Sequence, residues 1–337
     1  MRPGDELGLP VLRERLLKTS VGSAWFTRRS AQVAQVVERE DVYVSPRRTA
    51  PLVVLGSGER VLVVDRSSDA KSAPAVAADG VLLVRGDRPS TWLRHKLLDD
   101  FLRRWDEDMD GVRRTARDEW RRSFRISARP SEEGSLALRS PQYGALCAIA
   151  AHWTVSAAPA TVVMPTGTGK TETMLAAFAG IASGTTLVVV PSKSLRRQTA
   201  EKFASLGLLR ELGVVAGDVP NPVVGVLTRR PKDADDLTLF AHCDVVVAVV
   251  NSVAQGTAEA LLPQVAERCS TLMLDEAHHA PAPTWEGLRE HFDGKPVLQF
   301  TDFCSSPPAT RTSGAASSPQ PSGRMCSSSR VTRCSGR

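Results

Sequence analysis

The sequence predicts an α/β protein in which a parallel sheet covered by helices on both faces occupies residues 131–303. A small α+β domain (1–130) precedes it and a disordered basic tail (304–337) follows. Three observations predict this. Between 138 and 300, short, continuously apolar runs alternate with helical stretches, as a parallel sheet buried on both faces requires. Before 130 the apolar runs are instead separated by turn residues and followed by one long helical stripe. After 303 the chain holds ten Ser, five Arg and no Asp, Glu, Leu, Ile, Phe, Trp or Tyr, and cannot bury a core. A length of 337 residues suits about two domains.

In the first domain, β-branched runs at 42–44, 52–55, 61–64 and 81–84 are divided by Pro46, Gly56-Ser57-Gly58 and Asp79-Gly80, which predicts a strand meander. Apolar residues then fall at Leu93, Leu97, Phe101, Trp105, Met109, Val112, Ala116 and Trp120, one face of a helix that Gly111 could bend. That stripe is read as facing its own core. The Arg pairs at 103–104, 113–114 and 121–122 alternate with acids and are read as a solvated face. Asp69-Ala70-Lys71 matches the Asp-x-Lys of some nucleases over three residues only and carries no weight.

In the second domain, strands are predicted at 161–164, 186–190, 223–227, 244–250, 271–274 and 296–300. No apolar run approaches the ~20 residues that cross a bilayer. No apolar leader follows Met1, so a cytoplasmic location is expected. Residues 1–130 carry 25 Lys and Arg against 19 acids, and the tail is basic, so the net charge of +6 sits at the two ends. Basicity of that kind does not establish a nucleic-acid partner. Six cysteines occur without Cys-x-x-Cys spacing, which argues against a zinc ribbon.

Met164-Pro165-Thr166-Gly167-Thr168-Gly169-Lys170-Thr171 follows a strand and opens a helix. That is the setting in which backbone N–H groups and a helix N-terminus cradle phosphates. Lys170 would reach the β- and γ-phosphates, and the Thr171 hydroxyl would ligate Mg²⁺. Asp275-Glu276-Ala277-His278-His279 follows another strand. Asp275 would hold the Mg²⁺ water shell, and Glu276 would act as base toward the attacking water. A zinc site from His278, His279 and His291 is the competing reading, and it lacks a clear ligand trio.

Together, the Thr-Gly-Thr-Gly-Lys-Thr and Asp-Glu-Ala-His-His runs resemble the motor core of superfamily 2 DEAD/DEAH-box helicases, and within it the helicase subunits of type III restriction enzymes. That resemblance accepts Met164 in place of the first glycine and implies one RecA-like lobe over about 138–301, with ATP and Mg²⁺ as cofactors. It implies that Gln142, in Leu138-Arg-Ser-Pro-Gln142, reads adenine. It also implies that Ser192, Lys193, Arg196 and Arg197 (a motif Ia-like stretch) and Asn251 and Ser252 (motif Ib) hold a nucleic-acid backbone, DNA rather than RNA. A nuclease or methyltransferase subunit would be the protein partner.

The resemblance breaks at Thr301-Asp302-Phe303, where the family continues into Ala-Thr-Pro and a second lobe. An out-of-frame tail is the expectation, tested by reading the other two frames of the coding DNA. The resemblance further implies that a chain with one lobe hydrolyses ATP slowly and does not unwind. The alternative function is a nucleotide-binding adaptor or switch without motor activity.

Overall fold

The computed structural model describes residues 2–71, 77–86, 88–128, 136–156, 158–181, 183–253, 260–276, 282–302 and 331–333. The chain forms two compact units. Unit 1 comprises Met1–Leu16, Trp25–Ala116 and Pro220–Val223; unit 2 comprises Leu17–Ala24, Arg117–Val219 and Val224–Arg337. The division falls between Ala116 and Arg117, inside a helix, where the sequence alone suggested 130/131.

Unit 1 holds strands β1 (Glu6–Leu9), the first part of β2 (Leu12–Lys18), the last part of β3 (Gly22–Arg29), β4 (Gln32–Ser45), β5 (Arg48–Leu55), β6 (Arg60–Val64), β7 (Gly80–Arg85) and β8 (Arg88–His95). Six of them form a sheet in the order β1-β4-β5-β6-β7-β8. Alternate residues of β6 serve opposite faces: Val61 and Val63 join Leu7, Val53 and Leu82 on one, while Leu62 and Val64 join Val44, Leu52 and Val81 on the other. Burial on both faces is why β6 reads as an unbroken apolar run. The sheet is not a plain meander, because β6 and β7 pair parallel, with Val61 opposite Gly80. A short helix α1 (Ser67–Lys71) lies in the connection, and a parallel pair needs such a crossover.

The long stripe becomes α2 (Lys96–Ser123), with Leu93 left in β8. The break lies at Asp108 (φ −154°, ψ 81°), not at Gly111. Asp108 Oδ1 accepts from Gly111 N at 2.8 Å, so Asp108 caps a second helical segment three residues before Gly111. A Cβ at Gly111 would meet the Asp108 carboxylate, so a larger residue there would displace the capping side chain. Five of the six paired arginines are exposed, but Arg113 is buried, a correction to the solvated-face reading.

Unit 2 carries all six expected strands, each displaced by a residue at most from the apolar runs: β9 (Ala160–Val163), β10 (Thr186–Val190), β11 (Val223–Leu227), β12 (Val245–Val249), β13 (Thr271–Leu274) and β14 (Val297–Thr301). Their order is β9-β14-β13-β10-β12-β11 and every pair is parallel. Beyond β11 lies β3, whose first residues belong to this unit. All residues of β10, β12 and β13 are buried, so both sheet faces are covered. Helices α3 (Ser140–Val155), α4 (Lys170–Ile181) and α5 (Lys193–Ser205) follow the motif-bearing segments. Val331–Arg333, within the expected tail, forms β15 parallel to β9; residues 303–330 and 334–337 lie outside the described residues. No helix among the described residues is long and apolar enough to cross a membrane.

Candidate nucleotide and nucleic-acid site

The glycine-rich loop leaves the C-terminal end of β9. Met164 is wholly buried, and its N–H donates to Thr301 O at 3.0 Å, so the residue at the first-glycine position serves as core. Gly167 (φ 81°) and Gly169 (φ 94°) adopt positive φ, which turns the backbone without the steric cost that a residue with a Cβ would carry. Thr168 folds the loop by donating from N and Oγ1 to Pro165 O, at 3.2 and 2.6 Å. Lys170 then begins α4, whose N-terminal N–H groups carry the helix's positive end.

Gln142 and Arg139 fasten this loop from outside. Gln142 Nε2 donates to Gly169 O at 3.4 Å, and Arg139 Nη1 donates to Gly167 O at 3.0 Å. Gln142 Oε1 accepts from Arg139 N at 2.9 Å, closing the start of α3. A Cβ on Gly169 would run into the Gln142 amide. Gln142 is therefore buried and committed to the loop, with one amide N–H left for a ligand.

The acidic pair stands at the end of β13. Asp275 N donates to Val189 O at 2.9 Å, extending the β10–β13 ladder by one residue. Burial pushes the Asp275 carboxyl up to about 6, the neighbouring Glu276 charge adds to the rise, and Lys170 opposes it. Glu276 adopts φ 52°, the left-handed region, and for a residue with a side chain that geometry costs ~1–3 kcal/mol. It turns the carboxylate toward the loop, where Lys170 Nζ donates to Glu276 Oε1 and also to Asp302 Oδ1. Burial alone would lower the Lys170 pKa; the bonds and charges of Asp302 and Glu276 outweigh it and hold the ammonium above its usual range.

A cavity of about 530 Å³ is lined by Arg139, Gln142, Gly167, Lys170, Thr171 and Asp275, among others. The Lys-Thr turn and the acidic pair thus share one wall, the arrangement on which the functional reading depends. The Thr171 hydroxyl and Asp275 carboxylate are hard oxygen donors of the kind Mg²⁺ takes, so the donor set fits a magnesium nucleotide. Pro165 and Thr166 complete the loop, and Thr166 Oγ1 donates to Asp302 Oδ2 at 2.6 Å.

The residues assigned to nucleic acid cluster at the carboxyl ends of neighbouring strands. Ser192 caps α5, its Oγ accepting from Leu195 N at 3.2 Å. Lys193 and Arg197 are exposed. Arg196 is half-buried and donates to Leu227 O at 2.9 Å, and burial lowers its pKa. At the end of β12, Asn251 is exposed and its carbonyl accepts from Arg230 Nε at 2.8 Å, whereas Ser252 is buried. Arg229 and Arg230, exposed after β11, stand at the same edge of the sheet; two arginines after an apolar strand were the available signal. Asp302 was missed too, since it lies where the motif pattern ends. His278 and His279 lie outside the described residues, and no metal-binding cluster occurs among those described.

Comparison with known proteins gives a match between residues 135–305 and the family described as type III restriction enzyme, res subunit. A search of curated proteins found no match. Among solved structures, the UvsW helicase from bacteriophage T4 is similar at 15% identity and a TM-score of 0.34, over 60% of this chain and 70% of that one. The helicase domain of Pyrococcus furiosus Hef is similar at 22% identity and a TM-score of 0.36, over 51% of this chain and 34% of that one. The Mycobacterium smegmatis helicase Lhr, bound to ssDNA and AMP-PNP, is similar at 21% identity and a TM-score of 0.37, over 58% and 26%. This chain therefore spans about a third of the Hef chain and a quarter of the Lhr chain. With its glycine-rich loop, acidic pair and parallel sheet falling inside the matched half, the chain belongs to the family described as type III restriction enzyme, res subunit.

Proposed function

We propose that this protein binds MgATP in the cavity at the end of β9 and hydrolyses it in the service of moving along nucleic acid, DNA rather than RNA. The convergence of Lys170 and Glu276 on one point beside Asp275 carries this reading. The loop N–H groups and Lys170 would hold the β- and γ-phosphates, while Thr171 and Asp275 would hold Mg²⁺, which when bound neutralises phosphate charge. Entry of the γ-phosphate would take Lys170 from Glu276. The freed carboxylate would then accept the proton of the attacking water, as base catalysis at phosphorus needs. Gln142 would offer its remaining amide N–H to adenine while bracing Gly169. Lys193, Arg197 and Asn251 would meet phosphates along one strand edge, and Arg196 would do so after releasing Leu227 O. A nuclease or methyltransferase subunit is the proposed partner, and the cytoplasm the proposed site of action.

Lys170→Ala should abolish measurable ATP binding by calorimetry. Glu276→Gln should leave binding intact and cut turnover by ~10²–10⁴-fold, and turnover at the native rate would remove Glu276 from the role of base. A second reading, a nucleotide-gated adaptor that moves nothing, draws support from the double occupancy of Lys170 by Glu276 and Asp302. Stimulation of ATPase activity by single-stranded DNA separates the two, since an adaptor gains nothing from it.

A further inference from the structure

We infer that Asp302 is a built-in competitor of the nucleotide's terminal phosphates, so that this chain binds triphosphate only by displacing its own carboxylate. The inference rests on the cavity being a nucleotide site and concerns how that site is regulated.

Backbone geometry puts residue 302 at the loop. β14 pairs with β9, with Thr301 opposite Val163, and Met164 N donates to Thr301 O, so the next residue along β14 emerges beside the glycine-rich turn. Both Asp302 oxygens are then engaged by that turn: Oδ1 takes the Lys170 ammonium, and Oδ2 accepts from Thr166 Oγ1 at 2.6 Å. A carboxylate and a phosphate oxygen are alike as partners for an ammonium. The Lys170 and Asp302 side chains are only 11% and 17% exposed, so water screens their attraction weakly. Glu276 holds the same ammonium, which leaves two carboxylates to one cation where a polyanion must enter. Glu276 has a proposed task once Lys170 leaves it. Asp302 has none, and its charge would repel the incoming phosphate.

The test measures binding to the full chain, with Mg²⁺ present, of ATP, of inorganic tripolyphosphate and of AMP. Asp302→Asn keeps the size of the side chain and its acceptor toward Thr166 while removing the charge. It should tighten ATP and tripolyphosphate by roughly 5- to 150-fold, the span typical of coupling free energies in proteins, and leave AMP unchanged. Asp302→Ala should show the same pattern, and either variant suffices if the other does not fold. Unchanged or weaker ATP binding in a folded variant overturns the inference, as does an equal gain for AMP, which would mean a general structural effect. Lys170→Ala reports separately on the site: if it binds ATP as tightly as the native chain, the nucleotide reading itself fails. If Lys170→Ala abolishes binding while Asp302→Asn gains nothing, the site stands and only the competitor falls.

Discussion

Glu59 shows how a single residue can set the acid tolerance of unit 1. Leu97 N–H donates to His95 Nδ1 at 3.2 Å, which leaves Nε2 as the proton donor to Glu59 Oε1 at 2.8 Å. Arg29 adds a two-pronged pair at 2.6 and 3.2 Å. The His95 hydrogen bond lowers the Glu59 pKa most, burial opposes it, and Arg29 brings it to about 2 from 4.5. A depressed carboxyl stabilises the fold above its unfolded value and loses that contribution as pH falls through the folded one. Stability should therefore decline between pH 4.5 and about 2. Glu59→Gln should cost ~1–3 kcal/mol at neutral pH and flatten that decline, as measured by denaturant midpoints at a series of pH values. None of this was legible in the sequence, because Arg29, Glu59 and His95 are far apart in the chain and belong to no motif. The placement of Lys170, Thr171, Asp275 and Glu276 around one cavity could be anticipated, because each pair stands in a fixed local order after a strand. The bracing of Gly169 by Gln142 and the capture of Lys170 by Asp302 depend on which strands lie side by side, and a linear reading does not contain that.

Among the elements, α2 separates pattern from geometry. The apolar periodicity located it correctly, yet the kink came from a capping side chain rather than from glycine. Asp108→Ala should destabilise the protein by ~1 kcal/mol by removing the acceptor from Gly111 N, read as a drop in thermal midpoint. β9 to β14 were visible because strands buried on both faces must be apolar throughout. β1, β2, β3 and β8 were invisible because charged and hydroxyl-bearing residues interrupt their apolar ones. In β2, for example, Arg13 and Arg15 lie over the Trp25 ring at 5.0 and 5.5 Å, so cations that look like solvated surface are packing partners. The parallel β6–β7 pair escaped for a similar reason, since Asp79-Gly80 looks like a hairpin turn when its crossover is not seen.

At the scale of the molecule, unit 2 draws on chain that the motifs do not mark. Trp120, buried, packs against Phe178 of α4 with ring centroids 5.2 Å apart, and Phe178 in turn meets Phe203 of α5. Arg117 pairs with the buried Asp244 at 2.9 Å, and Arg125 N donates to Val214 O at 2.8 Å. Trp120→Ala should therefore cost ~3–5 kcal/mol in chemical unfolding. A fragment limited to 131–303 should melt well below the full chain, for want of that ring and the Arg117 guanidinium. From upstream, Leu17–Ala24 contributes too: Val21 O accepts from Thr228 N at 2.7 Å and from Arg229 N at 3.0 Å. During synthesis this segment leaves the ribosome long before β11 exists to receive it. Unit 2 therefore cannot close its ladder as it is translated, and its nascent edge stays open until codons beyond 228 have been decoded.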